Sequence, residues 1–200
     1  AGFSLALPNI AVVEVGDATA ANPFVRTAVE LWESELRKGN RLTAISGSDS
    51  KRGDGYGSTT TEVYAEALSR PAVDEALRRG QAYVRGLGEQ SPTIDLIATA
   101  PDGTTAMMGD TLVTDTADLS VTVTGGQGQT VAVRRNGAEI ERVPITTDEF
   151  TYTTTLSRLS DDEGPLGTFW TVEVIDTTTF QGSDVPTVIV KPVFLADQAA

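Results

Sequence analysis

The sequence predicts an α+β molecule in two parts: a mixed α/β unit over residues 1–90, then an immunoglobulin-like β-sandwich over residues 91–200. Three observations point there. Of the threonines, 8 fall in residues 1–100 and 20 in residues 101–200, and this β-branched residue suits half-exposed strands better than helices. Residues 1–100 carry 10 basic and 13 acidic side chains against 5 and 15 in residues 101–200, so the two halves differ in charge as well. Apolar residues recur at helical spacing only in the first half; the second has short strand patterns every 10 to 15 residues.

Ile10-Ala11-Val12-Val13-Glu14-Val15 is a short apolar run closed by Gly16-Asp17, the pattern of a buried strand. Asn22 suits an N-cap and Pro23 the first helical position. Behind them Phe24, Val25, Ala28, Val29, Leu31, Trp32 and Leu36 mark one helix face. Arg37 and Lys38 lie at the negative end of its dipole, and Gly39-Asn40 ends it. Leu42 to Ile45 forms a second strand, which runs into a polar loop from Ser46 to Gly57. Open α/β folds place their sites on such loops, at the carboxyl ends of strands. A strand at Thr61 to Ala65 follows, then a helix capped by Ser69 and stopped by Gly80, then a brief strand from Gln81 to Arg85. Gly86 to Pro92, with two glycines and a proline, is the expected domain junction.

The expected strands of the second half are Ile94–Ala98, Leu119–Val123, Thr130–Arg135, Glu139–Val143, Phe150–Leu156, Phe169–Ile175 and Val188–Phe194. Asn136-Gly137 supplies the strongest hairpin signal, because a type I′ turn needs positive φ at both positions.

Composition narrows the chemistry. The 200 residues include neither cysteine nor histidine, which rules out a thiolate nucleophile, a Ser-His pair and a His-ligated metal within this chain. Carboxylate chemistry, an all-oxygen metal site or a non-catalytic role remain. A net charge of −13 opposes binding along a phosphate backbone, so no nucleic acid is expected as principal partner. No apolar run is long enough for a membrane span. The start at Ala1-Gly2-Phe3, without methionine, suggests a segment removed upstream. An acidic, Lys-poor composition fits an extracellular or cell-envelope location.

Several segments of the first half, namely Val13-Glu14-Val15, the helix around Leu31-Trp32-Glu33-Ser34-Glu35-Leu36, Gly39 to Ala44 and Gly47-Ser48-Asp49-Ser50, resemble the later part of the polymerase-and-histidinol-phosphatase (PHP) metallohydrolases. The nearest branch is the CehA/McbA type. Thr61 to Ala65, Ala72 to Gly80, Tyr83-Val84 and Met108-Gly109-Asp110-Thr111-Leu112 are similar to that branch too. The resemblance implies the C-terminal half of a PHP barrel and a metal-dependent hydrolase acting on a phosphoester or other ester. It places Asp49 at a metal-ligand position and Lys51 where the family has histidine. A protonated lysine has no lone pair and repels a cation. A divalent manganese, zinc or iron ion would therefore need its other ligands from another segment. The expected partner is an upstream polypeptide or another subunit that completes the barrel. The alternative is a degenerate, non-catalytic PHP-like protein serving as a structural or binding module.

Plainer roles stand beside these. Asp49 can close its loop by pairing with Lys51 or Arg52. Ser48 and Lys51 can hold an anion or be ordinary loop residues. Glu14 with Asp49 forms an acid/base pair only if the two converge. Gly53-Asp54-Gly55-Tyr56-Gly57 lacks the features of a P-loop. Asp161-Asp162-Glu163-Gly164 reads as a solvated turn rather than a calcium loop, and Trp32 and Trp170 as core residues.

Overall fold

The computed structural model describes residues 11–16, 24–53, 55–159, 166–177 and 185–197. The Asn22 cap, the Pro23 start, Asp54 and the 161–164 turn lie outside the described residues.

Strand β1 (Val12–Gly16), helix α1 (Phe24–Arg37) and strand β2 (Thr43–Ser46) form a strand–helix–strand unit whose two strands pair in parallel. The expected stripe on α1 is largely real: Val29, Trp32 and Leu36 are buried, whereas Leu31 faces outward. Trp32 Nε1 donates to the Leu42 carbonyl at 2.8 Å, tying the helix to the entry of β2. Next come β3 (Thr60–Val63), α2 (Arg70–Arg79) and β4 (Ala82–Arg85). Helix α2 starts where the sequence indicates: Ser69 Oγ accepts from the Ala72 amide, and Gly80 closes the far end at φ 81°.

The remaining strands are β5 (Thr93–Thr99), β6 (Thr105–Met107), β7 (Thr111–Val113), β8 (Thr116–Thr124), β9 (Thr130–Arg135), β10 (Ala138–Pro144), β11 (Glu149–Ser157), β12 (Thr168–Asp176), β13 (Val185–Val190) and β14 (Val193–Ala196). Asn136-Gly137 joins β9 to β10 with φ of 49° and 84°, as the hairpin signal requires. The short strands β6 and β7 carry too few residues to show an alternation, and sequence reading misses both.

The expected fold class is corrected here. One eight-stranded mixed sheet dominates the molecule, ordered β10-β9-β12-β13-β4-β3, with β14 and β7 branching from β12. It curls through 200° into an open half-barrel, with two short α-helices among the described residues in place of an α/β barrel. A four-stranded sheet, β11-β8-β5-β6, covers one face, and the α1 unit lies on the other. The large sheet draws strands from both halves of the sequence, since Val188 pairs with Arg85 and Ile189 with Val84. Chain order cannot reveal a pairing across about a hundred residues, so a strand-rich second half reads as a sandwich of its own.

Alternation along the central strands builds the two cores. Trp170, Val172 and Val174 of β12, Val188 and Val190 of β13, and Val193 and Leu195 of β14 face the four-stranded sheet. Phe169, Ile189 and Phe194 face α1 and β2. Strands covered on both sides need apolar residues at consecutive positions, hence the run Val188-Ile189-Val190. Each such fully buried side chain contributes about 1.5–3 kcal/mol.

The sheet forks at one point. The sequence suggests a continuous strand from Val188 to Phe194, but Lys191-Pro192 breaks it, because proline cannot donate to a ladder. Both pieces still pair with β12: Ile189 with Glu173, and Val193 with Trp170. On their other side the neighbours diverge, β13 taking β4 and β14 taking β7. The break therefore opens a gap in the sheet, with Lys191 at its apex.

Candidate functional site

The gap forms a cavity of about 220 Å³ lined by Arg41, Arg78, Arg79, Gly109, Asp110, Thr111 and Lys191. Each wall arrives for a local reason. Arg78 and Arg79 occupy the last turn of α2, where cations favour the helix dipole. Gly80 then lets the chain close onto the fork: a Cβ there would lie 2.8 Å from Lys191 Cε. Gly109, at φ 89°, sits so close that a Cβ would fall 2.2 Å from the Arg79 carbonyl. The Gly109 amide donates to the Pro192 carbonyl at 2.8 Å, fastening the turn before β7 to the break. Arg41 leads into β2, stacks over the Phe194 ring at 4.3 Å and donates from Nη2 to Thr111 Oγ1 at 2.6 Å.

Charge is concentrated here against the trend of the molecule. Four basic side chains meet one carboxylate, Asp110. Asp110 is already engaged, accepting from the Met107 amide at 3.2 Å and from Arg79 Nη2 at 3.4 Å. Arg78 reaches Glu75 at 3.4 Å on the open side of α2. Lys191 is 2% exposed. Its Nζ donates to the Leu42 carbonyl, with no carboxylate beside it among the described residues. Burial, and then the neighbouring Arg41, push its pKa down to about 7. Burial also lowers Arg41, against a smaller opposing pull from Asp110.

The residues singled out in the sequence lie elsewhere. Asp49, with φ of 46°, pairs with Lys51 Nζ at 3.1 Å, and both side chains are largely exposed. Ser48 shares that loop in a half-buried position. Gly47 brings the loop near β1, since a Cβ there would lie 3.5 Å from Glu14 Oε1. Among the described residues no group of three or more His, Cys, Asp or Glu side chains is placed to hold a metal.

No family model, no curated protein and no solved structure matches this chain. The resemblance to PHP metallohydrolases is thereby corrected. The fold is mostly β rather than an α/β barrel, and among the described residues the carboxylates do not assemble into a metal centre. A metal-dependent hydrolase is overturned for that reason, and a degenerate PHP-like relative falls with the fold it presupposes. The shared segments are short local patterns, strand to helix to Gly-Asn and Gly-Ser-Asp-Ser, which many folds can use.

Sequence reading missed Arg41 and Lys191. A signal for Lys191 was present, as one lysine inside the apolar stretch Val188 to Phe194, directly before the proline that breaks the strand. Arg41 carried none, since its role depends on contacts with Thr111 and Phe194 far along the chain.

Proposed function

We propose that this chain is a binding protein for a small anion bearing a phosphate or carboxylate group, held in the cavity at the sheet fork. The observation that carries this reading is Lys191: a buried basic residue lining the same cavity as three arginines, with no carboxylate beside it among the described residues. Burying an unpaired charge is costly, and an anion between Lys191 and the arginines offsets that cost. Arg41, Arg78 and Arg79 supply forked N–H donors suited to phosphate or carboxylate oxygens, and Thr111 adds a hydroxyl. A cavity of about 220 Å³ lies below the roughly 300–1,000 Å³ of drug-sized sites, so the ligand has few heavy atoms.

Calorimetric titration of the full chain with inorganic phosphate at low salt tests this. Saturable binding at one site is expected, weakened tenfold or more by Arg41→Gln and by the surface variant Arg79→Gln. Absence of saturable binding, or binding indifferent to both substitutions, overturns the reading.

No helix among the described residues is long and apolar enough to cross a membrane. The acidic, Lys-poor composition supports an extracellular or cell-envelope location without a nucleic-acid partner. Strand β1 pairs only with β2 among the described residues. That open outer edge supports a strand-donating partner, from an upstream polypeptide or another subunit.

A further inference from the structure

An amine at the apex of a cationic cavity can do more than attract an anion. Lys191 enters from the break between β13 and β14, with Gly80 packed closely against its stem and Gly109 against Gly80. Among the described residues its Nζ has one hydrogen bond, to the Leu42 carbonyl, which also accepts from Trp32 Nε1. Arg41, Arg78 and Arg79 line the same cavity, so a ligand whose anionic end meets the arginines can present its other end to the amine.

We propose that Lys191 condenses with a small aldehyde or ketone whose phosphate or carboxylate group is held by Arg41, Arg78 and Arg79, forming an imine. This rests on the anion-binding reading of the same cavity. The nitrogen lone pair forms the N–C bond to the carbonyl carbon, and the oxygen gains a proton to give a carbinolamine. The two amine hydrogens then leave with that oxygen as one molecule of water, giving C=N. Nothing is oxidised or reduced. A proton taken up from solvent then gives the imine nitrogen one N–H, which can keep the bond to the Leu42 carbonyl.

The reaction requires a free lone pair at neutral pH. An exposed lysine, at its ordinary pKa near 10.4, offers it in only about 1 in 2,500 molecules at pH 7. Burial and Arg41 hold Lys191 near 7, so a large fraction is neutral there. Desolvation beside another cation is a general route to a nucleophilic lysine.

The chain holds three lysines, Lys38, Lys51 and Lys191, which makes the test direct. Lys51 is largely exposed and pairs with Asp49, providing an internal reference. The full chain is incubated near pH 7.5 with glycolaldehyde phosphate and sodium cyanoborohydride, and adducts are assigned by peptide mass mapping. A parallel series uses glycolaldehyde, which lacks the phosphate. The expected result is labelling of Lys191 at least tenfold faster than Lys51 with the phosphorylated aldehyde. Excess inorganic phosphate and Arg79→Gln should suppress that preference, and glycolaldehyde should not show it. Labelling of Lys191 no faster than Lys51, with phosphate binding intact by calorimetry, overturns the imine and leaves the anion site standing. Loss of both phosphate binding and selective labelling overturns both.

Discussion

Lys191 connects stability to pH in a direction that can be worked out. Its pKa in the folded chain, about 7, lies below its ordinary 10.5. Between those values the unfolded chain holds the proton and the folded chain does not. Stability therefore rises as pH increases from about 7 to about 10.5, and below 7 the contribution stays at its low level. Lys191→Met removes the titrating group while preserving the stem packed against Gly80. It also leaves the Leu42 carbonyl with its bond from Trp32. Urea denaturation at pH 6 should find the variant more stable than the natural chain by about 1–3 kcal/mol. The difference should shrink toward pH 10, and an equal difference at both pH values would refute the assignment. Sulfate keeps its charge across this range, so its affinity for the natural chain should increase as pH falls through 7. The other charged groups facing the cavity are Arg41, Arg78, Arg79 and Asp110.

At the scale of elements, α1 is fastened to the large sheet by charge as well as by its apolar stripe. Glu33 on α1 and Glu173 on β12 are both buried, at 2% and 1% exposure. Arg134 of β9 donates from Nε to Glu33 at 3.0 Å and lies 3.8 Å from Glu173, while Arg26 takes Glu173 in a forked pair at 3.0 and 3.1 Å. Burial raises Glu33 above its ordinary range despite the opposing pull of Arg134. Arg134→Met would leave Glu33 without its arginine and should cost about 3–5 kcal/mol at pH 7. Glu33 would then rise further, and stability tied to a raised carboxylate is present in acid and lost as pH climbs through the folded pKa. The deficit measured by denaturant titration should therefore be smaller at pH 5 than at pH 7; an equal deficit would mean that packing alone is lost. This network also shows what the sequence can and cannot reveal. Val29, Trp32 and Leu36 are legible because a helix repeats its buried face every three or four residues. Glu33 breaks that pattern, and its partner Arg134 lies 101 positions along the chain. The cavity is hidden in the same way, assembled from residues 41, 78, 79, 110, 111 and 191, whereas Asp49 and Lys51 stand out in a glycine-rich loop and meet chiefly each other.

For the whole molecule, the decisive feature is that the large sheet is common to both cores. Strand β12 sends Trp170, Val172 and Val174 toward the four-stranded sheet and Phe169 toward α1. Strand β13 likewise divides Val188 and Val190 from Ile189. Neither core can lose its wall while the other stays closed, and β4 joins the first half of the chain to the second through β13. Unfolding should accordingly be one cooperative transition, although the sequence reads as two parts. The two tryptophans provide separate reporters, since Trp32 lies in the α1 layer and Trp170 faces the opposite core. In Trp32→Phe the fluorescence follows Trp170, and in Trp170→Phe it follows Trp32. Each variant should give a fluorescence midpoint in urea that coincides with its own far-ultraviolet circular dichroism midpoint. Phosphate bound at the fork touches the strands that both cores share. At a concentration a hundredfold above its Kd it should add about 2.7 kcal/mol to the stability and move both reporters together. A fluorescence midpoint that separates from circular dichroism in either variant, or a phosphate shift seen by only one tryptophan, would mean that the two cores open independently.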